Sequence, residues 1–491
     1  MNPIKKLLGQ TAIYGTSSIV GRLLNYFLVP LYTRIFETEI YGIVGELYSY
    51  VAFLMIVLMY GMETGFFRFA ETEKNIKKVY STSIISLFAT SLAFILLIMV
   101  FAQPIANLLD YSGHKEYIIW LSIIVGLDCM TAIPFAKLRL QNRAIKFVSV
   151  KLIFIFLNIG LILFFLIFCP YLLQKNPNSI LLFVYSPEIG VGYIFISNLI
   201  ANILVLLILL PELLNIKINF DYELLKRMLA FSLPMLIVGF AGTINEVLDR
   251  ILLKFLSAYS VNPMSEIGIY NANYKVALLM TLFIQTFRYA AEPFFFSHAK
   301  NKQSKTDYAN IMKYFIIFGL TIFLGATLYL SILKYFIGED YRSGLNVVPI
   351  LLLANLFLGI IYNLSIWYKL TNNTAYGAYI ALFGASITII LNYILIPKIG
   401  YLGSAWATFF CYFSMMTVSF LWGKKHYKIK YDIVSIAKYF SIAMVLYAIS
   451  LFVPETNQFA ELAVNTGLFT LFIIYIIKNE KLIKTIRNLM T

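Results

Sequence analysis

Charge is scarce in this sequence, and so are the residues that soluble chemistry draws on. Only 13% of its 491 residues are Asp, Glu, Lys or Arg, while 60% are hydrophobic. A soluble globular chain carries about 25% charged residues. A water-facing surface of ordinary composition is thus excluded, and lipid is the solvent for most of the chain. Cysteine occurs three times, as Cys129, Cys169 and Cys411, each in or beside an apolar run. There is no CxxC pair and no Cys/His cluster, which argues against a disulfide framework and a structural zinc site. The three thiols are expected as small packing groups. Histidine also occurs three times, and His114, His298 and His426 fall between apolar runs. A membrane-buried acyltransferase would want a His inside a span. Long polar segments are missing too. The largest outer loop, 170–189, is about twenty residues long with a single lysine, too little for a polymerase with an extracellular catalytic loop. No catalytic residue, metal or cofactor is expected.

What the sequence does have is a series of long apolar runs. A spanning helix needs about 20 mostly apolar residues at 1.5 Å each. About fourteen such runs are present, at roughly 9–33, 42–66, 79–102, 117–136, 147–169, 190–211, 228–253, 267–296, 314–333, 345–368, 375–396, 400–422, 439–455 and 459–477. The first is too long for the core of a secretory signal and ends in no small-residue cleavage site, so it is expected as a span.

Basic residues orient these runs. Of the 39 Lys and Arg, twenty-seven fall in the two termini and the alternate loops that share their side, among them Lys5, Lys6, Arg139, Arg143, Lys424 and Lys425. Seven fall in the opposite loops and five within spans. Positive residues gather on the cytoplasmic side, so both termini are expected there. The net charge of +15 is then a topology signal, and no nucleic-acid role is needed to explain it.

A weak internal repeat adds organisation. Glu39-Ile40-Tyr41-Gly42 opens the second run, and Glu266-Ile267-Gly268-Ile269-Tyr270 opens the eighth. An offset of 226 pairs Gly42 with Gly268 and Tyr48 with Tyr274. The arrangement expected is a six-helix bundle in 1–211, a cytoplasmic linker in 212–227, and a second bundle in 228–425. Two more helices and a cytoplasmic tail occupy 426–491. The linker has a partly apolar face, from Leu213 to Leu225, and reads equally as a surface helix or a plain polar connection. Parallel repeats of this kind form the two lobes of transporters, with a site between them.

Particular stretches resemble a known family. Thr11-Ala12-Ile13-Tyr14-Gly15, Gly21-Arg22 and Pro30-Leu31-Tyr32-Thr33-Arg34 look like the start of Wzx-type polysaccharide flippases. Gly268 to Lys275, Phe287 to Phe295, and Lys398 to Ala407 are similar to that family's eighth and twelfth spans. The family lies in the multidrug/oligosaccharidyl-lipid/polysaccharide exporter superfamily. The resemblance implies an all-α integral membrane protein of two MATE-like six-helix bundles in a V, plus two C-terminal helices. It implies a bacterial inner-membrane flippase that moves an undecaprenyl-pyrophosphate-linked oligosaccharide by alternating access. The product would feed O-antigen, capsule or exopolysaccharide assembly. Implied partners are the lipid-linked oligosaccharide, membrane lipids, and a polysaccharide polymerase and glycosyltransferases. A multidrug or organic-cation antiporter of the same fold, and a flippase for the peptidoglycan lipid precursor, are the alternatives.

Charges inside spans are expensive and mark function by default. Arg22 lies about mid-way through the first run and Arg250 toward the outer end of the seventh. An arginine fork matches a phosphate in two hydrogen bonds and keeps its charge, so both are candidate contacts for the lipid pyrophosphate. Each can instead pair with a carboxylate. Glu246 stands one turn before Arg250, and Asp249 adjoins it. Lys275 and Arg288, in the eighth run, can extend a cationic path, although Glu292 stands one turn after Arg288 and offers it an ion pair. Asp128, Glu46, Glu63 and Asp249 are candidate ion-coupling groups, with a counter-ion role to Arg22 the alternative for the first three. Lys151 is shallow and is expected to snorkel to the inner headgroups.

Overall fold

A computed structural model describes residues 19–176, 184–214, 219–257, 262–453 and 458–480, apart from Lys300, Lys302 and Asn372. In chain order the helices are α1 (19–26), α2 (Val29–Ile35), α3 (Thr38–Met59), α4 (Met62–Thr72), α5 (Ile76–Val100), α6 (Ala102–Leu108) and α7 (Lys115–Leu140). They continue with α8 (Ala144–Leu163), α9 (Cys169–Lys175), α10 (Gly192–Leu214), α11 (Tyr222–Leu256), α12 (Pro263–His298), α13 (Ser304–Leu328) and α14 (Leu330–Leu333). The last six are α15 (Val347–Leu364), α16 (Ile366–Leu370), α17 (Ala375–Ile399), α18 (Tyr401–His426), α19 (Ile433–Ser450) and α20 (Gln458–Asn479). Among the described residues there is no strand, and thirteen helical stretches are long and apolar enough to cross a membrane. Much of the remaining expected span, 9–33, lies outside the described residues. The chain is therefore an all-helical, multi-pass membrane protein.

Local chemistry sets several helix starts. Asn262 accepts the Ser265 N–H at 3.1 Å, with Pro263 in the first helical turn of α12. Such a cap satisfies an orphan N–H, and proline fits the first turn. Asp432 caps α19 in the same way through Ser435. Between α17 and α18, Gly400 takes φ +56°, which L side chains resist, and a Cβ there would meet the Glu266 carboxylate at 2.6 Å.

Contacts divide the chain into two compact units. One joins the chain up to Leu28 with Ile43–Ile251; the other joins Val29–Gly42 with the chain from Leu252 on. The boundary expected at 212–227 differs from this partition, because α11 groups with the helices before it as far as Ile251. Its start is tied there by three contacts. Arg227 pairs with Glu73 at 2.7 Å, Lys78 with Asp221 at 2.5 Å, and Arg68 lies 4.0 Å over the Phe231 ring.

In the first unit α7 is the central helix, and 72% of its most apolar window is buried. Val125 and Cys129 pack on α3, Leu127 and Met130 face α5 and α10, and Phe135 and Leu138 face α8 and α10. In the second unit α15 holds the same position, again with 72% of its window buried. Its Phe357 and Ile361 pack with Ile380 of α17 and with Cys411, Tyr412 and Met415 of α18.

The repeat has a structural counterpart within the second unit. A Cβ on Gly42 would lie 2.1 Å from the Met264 carbonyl oxygen, and one on Gly268 would lie 1.9 Å from the Thr38 carbonyl oxygen. Thr38 and Met264 carry the same offset of 226 as the glycines, so the starts of α3 and α12 cross as a mutual pair. Small residues permit such backbone approach between membrane helices. The Thr38 and Ser265 hydroxyls stand 2.6 Å apart, and Asn262 donates to Glu39 at 2.6 Å.

Candidate functional site

The candidate residues separate by whether their charge is already answered. On α1, Gly21 and Tyr26 are buried and Arg22 and Asn25 exposed. A Cβ on Gly21 would meet Ile155 of α8 at 2.6 Å, so that face is pressed on its neighbour. Arg22 lies on the other face and has no hydrogen-bond or ion-pair partner among the described residues.

Arg250 is in the opposite situation. Its side chain is 7% accessible; it donates to Asp249 Oδ1 at 2.9 Å and to the backbone carbonyl of Glu246 at 2.7 Å. Helix spacing offers Arg250 two carboxylates, Glu246 one turn before it and Asp249 beside it. The neighbouring Asp249, itself buried, takes the pair, and Glu246 stays exposed. Two opposite charges removed from water together attract strongly enough to hold one geometry, although their net contribution is small.

Arg288 departs from its helix spacing. Glu292 does not take Arg288; it accepts from Lys369 of α16 at 2.6 Å. Arg288 lies 4.1 Å over the Tyr362 ring of α15, a cation–π contact. These groups line a cavity of about 20 Å³, room for one water. Arg288 keeps its fork partly accessible there. Lys275 is half-buried in α12.

The carboxylates spread through the first unit. Glu46, fully buried in α3, accepts from the Tyr111 hydroxyl, and Tyr50 stands beside it. Glu63 of α4 accepts from Arg139 at 2.8 Å. Asp128 is half-buried in α7, where it interacts with Lys151 of α8 and with Tyr48. Tyr48 accepts from Asn198, which accepts from Asn202. Lys151 lies 4.2 Å over the Phe135 ring. Lys151 is exposed, and the aromatic contact and the pull of Asp128 both act on its charge. Among the described residues no group of three or more His, Cys, Asp or Glu can hold a metal ion.

One hub escaped the sequence reading. Glu212, near the end of α10, is held by Arg143 at 2.6 Å, Lys146 at 2.9 Å and Lys137 at 3.0 Å. In sequence, Lys137, Arg143 and Lys146 count only among the basic residues that set topology, and Glu212 only opens the 212–227 linker. The available signal is four basic residues within positions 137–146, three of which turn out to meet the one Glu at the end of the α10 apolar run.

Comparison with known proteins places the chain. Residues 7–299 match the family model described as polysaccharide biosynthesis protein. The uncharacterized membrane protein MJ1068 of Methanocaldococcus jannaschii is 24% identical over 440 residues, spanning 83% of this chain and 82% of that protein. Among solved structures, the lipid II flippase MurJ in an inward closed conformation aligns with a TM-score of 0.70 and 16% identity. That alignment covers 95% of this chain and 99% of the other. An inward-facing multidrug resistance MATE family transporter aligns at 0.64 with 13% identity, covering 85% and 96%. At these identities the two structures establish the fold.

Proposed function

This chain belongs to the polysaccharide biosynthesis protein family, and on that premise we propose that it flips an undecaprenyl-pyrophosphate-linked oligosaccharide across the plasma membrane. It is a multi-pass membrane transporter of the flippase kind, acting on a lipid-linked substrate. The observation that carries the finer reading is Arg22. Among the described residues this permanent cation on α1 has no ion-pair partner, and the cargo's pyrophosphate is the anion that suits it in charge and in fork geometry. Arg288, stacked but still partly accessible, is a second contact, with Lys275 in the same helix. Arg250 is occupied by Asp249 and holds helix geometry in this reading. Asp128, linked to Lys151 and to the Tyr48–Asn198–Asn202 chain, is the preferred ion-coupling group, ahead of Glu46 and Glu63. The termini face the cytoplasm, as the basic loops support. Glycosyltransferases supply the cargo and a polymerase consumes it.

The test loads membrane vesicles that contain the purified chain with a defined lipid-linked oligosaccharide, or with a fluorescent organic cation. Glycan translocation is expected, lost in Arg22→Ala at normal membrane levels and partly restored in Arg22→Lys. Movement of the cation alone would overturn the reading in favour of an antiporter. Full glycan movement by Arg22→Ala would remove Arg22 from the path.

A further inference from the structure

Around Glu212, three cations meet one carboxylate. Arg143 and Lys146 both donate to Oε1, and Lys137 reaches Oε2 and, at 3.4 Å, the Glu212 backbone carbonyl. The Glu212 side chain is only 8% accessible. The cluster therefore keeps two positive charges in excess, beside a medium that screens charge poorly.

Three other carboxylates at this end of the unit already have basic partners, and two more, Glu71 and Glu223, are exposed and do not pair with the three cations. Glu63 is taken by Arg139, Glu73 by Arg227 and Asp221 by Lys78. The surroundings are apolar and open. Ile145, between Arg143 and Lys146, is 79% exposed, and Leu214, two residues past Glu212, is 72% exposed. Charge surplus and bare aliphatic side chains side by side suit a ligand that is anionic at one end and hydrocarbon at the other.

We propose that Lys137, Arg143 and Lys146, arranged on Glu212, bind the phosphate group of an anionic phospholipid whose acyl chains cover Ile145 and Leu214. Glu212 acts as the template that holds the three cations together. Arg143 keeps most of its fork for the ligand, since only one of its terminal nitrogens is used by Glu212 and its side chain is 45% accessible. The shared chemistry is a phosphate. The aliphatic flank assigns it to a lipid headgroup over free phosphate. The site does not depend on what the chain transports.

The test titrates phosphatidylglycerol into the purified full chain in neutral detergent micelles and follows the rise in Tm. Each basic side chain near an anionic headgroup strengthens binding about five-fold. The Arg143→Gln/Lys146→Gln double variant is therefore expected to need roughly 30-fold more lipid. Lys424→Gln/Lys425→Gln, which removes two basic residues from the end of α18, is expected to respond like the wild type. Inorganic phosphate is expected to produce no rise. An unchanged response in the first double variant would overturn the proposal. So would an equal loss in the second, which would reduce the effect to bulk surface charge, or an equal rise with inorganic phosphate. If the double variant does not fold, Arg143→Gln alone decides: a shift of about five-fold supports the site, and none overturns it.

Discussion

Glu212 and Glu480 both stand at the end of a membrane helix, and their side chains are 8% and 9% accessible. Their partners differ. Glu212 collects three cations and keeps a surplus. Glu480, just past α20, accepts from Lys313 of α13 at 2.6 Å and from the Tyr439 hydroxyl of α19 at 2.8 Å. That second site is balanced, one charge against one, with the remaining acceptor capacity met by a neutral hydroxyl. A balanced site is complete in itself and serves to dock α20. An over-supplied one is stable only with help from outside, which makes it a place for a ligand.

Removal of the template should have the largest effect. Glu212→Leu leaves three uncompensated cations beside the bilayer and is expected to cost about 3–5 kcal/mol, as breaking a buried pair does. Lower membrane levels and a lower Tm would show it; wild-type stability would show that Glu212 is dispensable to the cluster. At the balanced site, Glu480→Gln keeps the shape but loses the charge, and should cost about 1.5–3 kcal/mol. Hydrogen exchange or proteolysis should show α20 loosened while α7 stays protected.

Acid should reproduce that loss in the wild type. Burial raises the Glu480 carboxyl, but hydrogen bonds from Lys313 and Tyr439 outweigh burial and leave it below the ordinary value. The unfolded chain, with a carboxyl near ~4.3, then takes up its proton before the folded one. The contribution is complete above that pH and is lost as pH falls through the lower folded value. The Tm gap between wild type and Glu480→Gln should therefore stay constant from neutrality to about pH 5 and close below about pH 4. A constant gap throughout would show that the charge is not involved. Smallest of all, Tyr439→Phe removes one hydrogen bond and is expected to cost about 0.5–1.5 kcal/mol, and, because that bond helps hold Glu480 low, to move the acid limb toward higher pH.

The membrane architecture was legible because apolar runs and basic loops obey strong, local rules. The offset of 226 marks Gly42 and Gly268 as equivalent positions, but nothing in that spacing says that the two glycines meet in space. Ion pairing was not legible either. Arg250 had two acidic candidates, and the choice of Asp249 over Glu246 depends on a rotamer that spacing does not encode. Glu292 had Arg288 one turn away, yet Lys369, 77 residues on, arrives closer. Glu212 went unrecognised because its partners come from α7 and the start of α8, and only folding brings those ends together.

The Gly42–Gly268 crossing has one more consequence. Where main chain lies directly on main chain, no rotamers stand between the helices to be rearranged when their angle changes. Such a joint has nothing soft in it to give way, so any attempt to press the two helix starts closer is stopped at once. Adding even one methyl group to either glycine would act as a wedge, and because the contact is reciprocal, a wedge on one side is a wedge on both.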